Sequence, residues 1–353
     1  MKSEMLLFVM GNINDDLIEN AIKQKKKSRS FKWISVAACF LVIVTVVAVL
    51  LFPKENSALP KLEITGEFGA MGFEGYMVHD ISELVNANPW TEKTKIKTLP
   101  VYKNLYTYGE NYEIPQNNEI YMKKVVSEIE NRVGDMRNVT LKDFSPDAVD
   151  IEFQPAVSLP KEYNFDFYST TEEMKAVADY FKSEYEKIID MSKPIINIHG
   201  GDYDIYNRRL LYLSFYESKG DITEQIINYN FNSVEFQCDD EKRLCRIRVM
   251  KTDLSEKEGD YPLISLSDAK KLLKQKKYIT TVPYGLKGNE KIEKSELIYL
   301  TQPTERFYMP YYKFYIQVES LAQNETKTYG AYYVPAIEEE YISNMPLWDG
   351  SFN

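Results

Sequence analysis

Residues 234–249 have the sequence VEFQCDDEKRLCRIRV, and this stretch predicts an antiparallel β-hairpin. Apolar and polar residues alternate on both sides of a charged centre, as they do in strands with one buried face. A turn at residues 241–242 gives a register in which apolar residues oppose apolar ones and charges oppose polar partners. The predicted pairs are Val234–Val249, Phe236–Ile247 and Cys238–Cys245 on one face, and Glu235–Arg248 and Gln237–Arg246 on the other.

The segments around this hairpin predict further strands and three helices. A helix is expected over roughly 118–133, and capping boxes at 170–173 and 265–268 mark two more helix starts. In residues 310–319, Tyr312 and Phe314 alternate with Lys313 and Gln317, which is typical of a half-buried strand. The fold class is therefore α+β, with antiparallel sheets and about three helices. Strands are predicted at 97–103, 148–154, 194–199, 209–216, 295–300, 310–319 and 329–335.

Residues 34–52, ISVAACFLVIVTVVAVLLF, form an apolar run long enough to cross a bilayer as one helix. Lysine and arginine cluster before this run, so the positive-inside rule predicts a cytoplasmic N-terminus and an extracytoplasmic C-terminal domain. Val36 to Cys39 are similar to a lipobox, but most of the apolar run follows Cys39. A cleaved signal peptide would have a shorter apolar region and a small-residue cleavage site.

The predicted organisation has five parts. They are a cytoplasmic tail at 1–32, a transmembrane helix at 33–53, a stalk at 54–66, and two extracytoplasmic α+β subdomains at 67–160 and 161–353. Residues 1–32 carry a net charge of +3, so the total of −10 leaves −13 for the remainder. An acidic outer domain argues against nucleic acid as a partner.

The tail contains a short helix with one apolar stripe, formed by Leu17, Ile18, Ala21 and Ile22. A helix of this length is marginal in isolation. We therefore expect it to contact a cytoplasmic protein or the membrane surface.

Two groups of residues outside the span are candidates for chemistry. Cys238 and Cys245 would form a disulfide in an oxidising compartment, or else remain two free thiols. His199, Asp202 and Asp204, within IHGGDYD, could form a polar site, although Gly-Gly and Asp at a strand end are also ordinary turn residues. The 27 tyrosines indicate either an aromatic surface for a peptide, glycan or protein ligand, or a compositional bias.

The chain has no HExxH, GxSxG, P-loop or dinucleotide motif. We therefore expect no catalytic residues, no cofactor and no metal site.

Residues 11–44 and the segments 282–300, 309–318 and 327–353 resemble a family of single-pass membrane proteins from Gram-positive, clostridial-type bacteria. The layout of that family is similar to membrane-anchored anti-sigma factors: a short helix, a lysine cluster, one span and an outer domain. Zinc-type anti-sigma domains have a His and Cys cluster, and residues 1–32 contain neither residue type. The run 266–319 resembles cystatin-like regulatory modules, which is an analogy of fold alone.

Three classes of function follow from these patterns. We favour a non-enzymatic, membrane-anchored sensing or regulatory protein, because sequence on both sides of the span predicts structure and no catalytic motif is present. The alternatives are an extracytoplasmic hydrolase of the cell envelope, using His199, Asp202 and Asp204, and a structural envelope-assembly protein.

The predicted topology can be tested with protease added to intact protoplasts. Digestion should remove the chain beyond about residue 54 and spare the tail, because only the C-terminal side is expected to face outwards. Permeabilised protoplasts, in which the tail is also digested, are the control. Protection of the region around Trp348 in intact cells would contradict the orientation.

Overall fold

The computed structural model describes residues 59–64, 74–105, 116–134, 136, 138–302, 304–319 and 326–350. The chain divides into two compact units, Met1–Ala58 and Leu59–Asn353, and every described residue belongs to the second. The tail helix and the apolar run at 33–53 lie outside the described residues. Within the described ranges, no helix is both long and apolar enough to cross a membrane.

The second unit is an α+β domain with five α-helices among its described residues, two more than predicted. The helices are α1 (Gln116–Val133), α2 (Thr171–Glu184), α3 (Glu186–Ile189), α4 (Ile222–Phe231) and α5 (Leu266–Lys274). The strands are β1 (Gly75–Val78), β2 (Thr98–Lys103), β3 (Val139–Ser145), β4 (Ala148–Val157), β5 (Pro194–Tyr203), β6 (Arg209–Glu217), β7 (Asn232–Cys238), β8 (Leu244–Lys251), β9 (Lys257–Pro262), β10 (Ile279–Thr280), β11 (Ile292–Tyr299), β12 (Phe307–Tyr308), β13 (Pro310–Val318) and β14 (Lys327–Pro335).

Six antiparallel strands form the first sheet, in the order β3-β4-β8-β7-β6-β5. Its apolar face packs against α1, α2 and α3, so that Phe181 of α2 stacks on Phe236 of β7 with ring centroids 4.5 Å apart. The opposite face is polar along most of its strands. This sheet therefore follows the alternation of its sequence, with one face in the core and one face available for contacts.

The predicted hairpin is confirmed on both sides of its turn, from Val234–Val249 to Gln237–Arg246. The end of the hairpin was predicted wrongly, because a bulge sets Cys238 opposite Leu244 rather than Cys245. The Asp239 carboxylate accepts hydrogen bonds from the backbone N–H groups of residues 241 and 243, so the turn is longer than two residues. Cys238 and Cys245 are not bridged in this structure, and the disulfide between them remains a prediction.

A second sheet has the order β1-β14-β13-β11, with β10 also paired to β14. Both of its faces are buried, so the prediction of a half-buried strand at 310–319 was wrong. Helix α5 covers one face, which carries Phe314. The other face, which carries Tyr311, packs against a three-stranded sheet of order β12-β2-β9 and against residues near Leu62.

Two predicted boundaries also differ from the structure. Residues 59–64 of the expected stalk belong to the domain, because Leu62 is fully buried and bridges Ile342. The expected subdomain boundary at residue 160 would divide the six-stranded sheet, in which β4 pairs with β8. Leu59–Asn353 instead form one compact unit.

The pH dependence of stability should reveal the buried carboxyl group of Glu305. Glu305 is 2% exposed, and burial raises its pKa from 4.5 to about 8. The folded state thus favours the protonated form, so the stability that this group contributes is complete below pH 4.5 and is lost as pH rises through about 8. In urea denaturation, the free energy of unfolding of the wild-type full chain should fall by an amount on the order of 3 kcal/mol between about pH 5 and about pH 9 because of this group. Glu305→Gln should abolish that fall.

The exposed Glu319 provides a matched control, since Glu319→Gln removes the same charge from the surface. Equal pH dependence in wild type and Glu305→Gln would contradict the prediction.

Candidate functional site

A cleft of about 580 Å³ lies between the polar face of the six-stranded sheet and strands β11 and β13. Its volume is within the range typical of small-molecule sites. Side chains on one wall include Asn197, His199 and Tyr212, and those on the other include Lys294, Glu296 and Lys313. The side chains that line the cleft are therefore mainly polar and aromatic rather than aliphatic.

The polar face of the six-stranded sheet is organised by cross-strand pairs. The buried Asn197 amide donates to the Ser214 hydroxyl at 3.0 Å and accepts from the backbone N–H of Ala87. Further along the same face, the buried Asp150 carboxylate lies 2.8 Å from the Arg248 Nε. These contacts fix the wall of the cleft before any ligand is present.

Gly200 and Gly201 bring residues 83–85 against strand β5 and so close one end of the cleft. Both glycines have positive φ angles, and a Cβ on Gly201 would lie 1.9 Å from the carbonyl oxygen of Glu83. The Val85 N–H donates to the Gly200 carbonyl at 2.9 Å, and an Arg209 Nη donates to the Glu83 carbonyl at 2.6 Å. The Gly-Gly pair is thus explained by this close approach of two backbones.

The structure brings two of the three predicted polar-site residues together in the cleft. His199 and Asp202 line it. The Asp204 carboxylate instead accepts from two backbone N–H groups of the β5–β6 turn and pairs with Arg208 at 2.7 Å. For Asp204 the turn interpretation describes what the structure shows.

His199 packs against an aromatic ring within the cleft. Its imidazole stacks on Tyr212 with ring centroids 5.4 Å apart. Burial lowers the pKa of His199, and the nearby charge of Glu235 opposes this shift without cancelling it. The imidazole is consequently held in its neutral form at pH 7.

Lys313 is a deeply buried cation of the cleft, at 7% exposure. Its amine donates to the Tyr76 hydroxyl at 2.7 Å, lies 3.6 Å from the Glu74 carboxylate, and faces the rings of Tyr76, Tyr315 and Tyr333. Burial alone would lower the pKa of Lys313, but Tyr76, Glu74 and Glu296 together raise it. The amine is therefore charged inside the protein.

Glu296 is the matching buried anion, at 6% exposure. Its carboxylate accepts from the Asn86 amide at 2.6 Å, from Lys294 at 2.8 Å and from the Tyr315 hydroxyl at 2.9 Å. Burial would raise the pKa of Glu296, but Lys294 and Lys313 lower it overall. The two buried charges tie β11, β13 and the segment around Asn86 into one network.

Lys313 and Glu296 were not identified as site residues from the sequence. Lys313 was assigned to a solvent-facing side of its strand, because its neighbours alternate in polarity. The signal that could have identified it is a lone lysine within the aromatic run YYKFY, at 311–315. Among the described residues, no three His, Cys, Asp or Glu side chains form a group that could ligate a metal ion.

Comparison with known proteins adds no further constraint on this site. No protein-family model matches the chain, and a search of curated proteins gives no significant match. The resemblance to an anti-sigma layout therefore stays a prediction. The tail stripe at Leu17, Ile18, Ala21 and Ile22 lies outside the described residues.

Removing the buried cation should destabilise the domain strongly. Lys313→Met leaves Glu74 without its cation and removes one of the two cations that favour the ionised form of Glu296, at an expected cost of about 3 kcal/mol in the free energy of unfolding. Urea denaturation of the full chain measures this loss. Adding Glu74→Gln to Lys313→Met should restore part of it, because the uncompensated anion is removed.

Lys123→Met provides the control, because Lys123 is an exposed lysine on α1. A loss in Lys313→Met no larger than that of Lys123→Met would show that the buried amine does not support the fold.

Proposed function

We propose that this chain is a membrane-anchored extracytoplasmic sensing or regulatory protein without enzymatic activity. Its cleft binds a ligand outside the cell, and its N-terminal helix contacts a protein partner inside. The observation that carries this proposal is the cleft of about 580 Å³, whose walls are fixed by buried polar contacts. A preformed cavity with a few oriented polar groups is the usual form of a small-ligand site.

The chemistry of the cleft supports binding more than catalysis. Its buried charged groups already have partners within the protein: Lys313 donates to Tyr76, and Glu296 accepts from Lys294 and Tyr315. The neutral imidazole of His199 stacks on an aromatic ring. Groups engaged in this way orient a ligand, whereas a nucleophile or proton carrier must be directed at the reacting atom.

Contacts within the domain offer a route from the cleft toward the anchor. The Tyr333 hydroxyl donates to Glu74, which neighbours Lys313. The Tyr333 ring packs in the same apolar cluster as Leu62, close to the first described residue of the chain. A ligand that moved β13 or β14 would thus disturb the segment that continues toward the predicted span.

An envelope hydrolase is the second candidate, because His199 and Asp202 line the same cleft. A neutral imidazole can accept a proton from water. Under this alternative, the purified full chain would degrade cell-wall material, and His199→Ala would abolish that activity. Under our proposal, neither protein releases wall fragments.

Transcript profiling of a deletion strain tests the regulatory part of the proposal. Loss of the gene should change a defined set of transcripts, and a Leu17→Asp, Ile18→Asp variant should reproduce the change, because it disrupts the apolar stripe of the tail. Glu19→Gln lies off that stripe and should behave as wild type. Loss of envelope integrity with an unchanged transcript set would instead favour a structural assembly role.

A further inference from the structure

Most charged groups that line the cleft already have partners within the protein. Lys294 lies 2.8 Å from Glu296, and the Glu235 carboxylate accepts from the Gln237 amide. The Lys313 amine is held by the hydroxyl and carboxylate contacts described above. A charged ligand group would have to compete with these internal partners for its own compensation. The cleft is therefore better suited to a ligand without charge.

Four neutral polar groups of the cleft, in contrast, are available to a ligand. The phenol hydroxyls of Tyr212 and Tyr229, the Ser233 hydroxyl and the His199 imidazole line the cleft and make no hydrogen bond with any described residue. None of their polar atoms is among those fully enclosed by the described protein. A hydroxyl group and a neutral imidazole can each both donate and accept. These groups match a ligand whose own polar groups also donate and accept.

The strand register places these groups toward the two ends of the cleft wall along β6. Tyr212 is opposite His199 across β5 and β6, and Tyr216 is opposite Ser233 across β6 and β7. The Tyr229 ring meets the Tyr216 ring edge-on, with centroids 5.4 Å apart. Positions 212 and 216 share one face of β6 and are separated by about 13 Å along an extended strand. An elongated ligand can therefore contact both groups.

We propose that the cleft binds an uncharged oligosaccharide laid along β6, with His199 and Tyr212 at one end and Tyr229 and Ser233 at the other. This inference rests on the part of the proposed function that makes the cleft a ligand site. Sugar hydroxyls donate and accept, as the four available groups do. Asp202, which follows His199 on β5 and lines the cleft, can accept from a further sugar hydroxyl.

A peptide added as a strand fits these walls less well, because strand addition needs an open sheet edge. Strand β6 lies inside its sheet, between β5 and β7. On β11, the Leu297 carbonyl accepts from the Asn88 amide at 3.1 Å. The Tyr299 N–H donates to the Asn230 amide oxygen at 3.0 Å. The walls thus present side-chain hydroxyls to a ligand rather than a free row of backbone groups.

Titration calorimetry of the full chain, in micelles of a detergent without a sugar head group, tests the inference. The probes are maltotriose, cellotriose and tri-N-acetylchitotriose. The control is tetraethylene glycol, in which ether oxygens replace most hydroxyl groups. At least one trisaccharide should bind with a Kd below about 1 mM, and the glycol should not bind. Absence of heat with all three sugars up to about 10 mM, or equal binding of the glycol, would overturn the inference.

Tyrosine-to-phenylalanine variants locate the binding site. Tyr212→Phe and Tyr229→Phe should each weaken binding of that trisaccharide about three- to tenfold, since each removes one hydrogen bond and keeps the ring. Tyr180→Phe, on helix α2 against the opposite face of the sheet, should bind as wild type. Unchanged affinity in either cleft variant would overturn the inference. Because the comparison of sugar with glycol uses the wild-type protein, it stands even if a variant fails to fold.

The failure of this inference can be distinguished from the failure of the proposed function. Trisaccharide binding without a transcript change in the deletion strain would refute the regulatory function but not the site. The transcript change without trisaccharide binding would overturn the inference alone. Cleavage of the bound trisaccharide would support the site and favour the hydrolase function, whereas recovery of the intact sugar would support both proposals.

Discussion

The burial of the Lys313 amine constrains the arrangement of the whole domain. A charged group within a sheet that is covered on both faces is stable only if nearby anions and hydroxyl groups replace its hydration. Tyr76 on β1, Glu74 immediately before β1, and Glu296 on β11 meet this requirement. Because the Glu296 carboxylate also holds Asn86, the loop that closes the cleft is tied to the same charge. The position of the cleft thus depends on the neutralisation of one lysine.

The tyrosines of this chain join loops to sheets. Several of them have buried rings whose hydroxyl groups donate to a backbone carbonyl in a connecting segment: Tyr216 to Ala87, Tyr261 to Pro60, Tyr312 to Ile264, and Tyr332 to Tyr284. Each such residue fills the core with its ring and satisfies a loop carbonyl with its hydroxyl group. A large part of the tyrosine content is therefore explained by packing within the domain.

Local sequence patterns predicted much of the secondary structure. The features that these patterns did not predict include the hairpin turn and helix α4. The hairpin register from Val234 to Gln237 was correct because it depends only on residues opposite one another. Its turn was wrong because the Asp239 side chain competes for backbone N–H groups, which an alternation pattern does not express. Helix α4 was missed although Asp221 and Glu224 form a capping box that the sequence contains.

Burial on the second face of a sheet could not be predicted in the same way. Alternation in 310–319 describes one strand, whereas the residues that cover Tyr311 come from β2, from β9 and from the segment near Leu62. Both β2 and Leu62 are more than two hundred positions from Tyr311 in the sequence. His199 and Asp202 were found because a short motif brings them together along one strand. Lys313 and Glu296 were missed because their partners come from distant segments.

The entry of the chain into the domain has a mechanical consequence. Leu62 exchanges backbone hydrogen bonds with the segment that carries Tyr341 and Ser343, and the Asn344 amide makes a pair of 2.7 Å bonds with the backbone of Ile64. Tension applied at Leu59 would therefore load several of these bonds at once, beside the buried side chains of Leu62 and Ile64. A force applied to the N-terminal end of the described domain would act directly on residues near the C-terminal end of the chain.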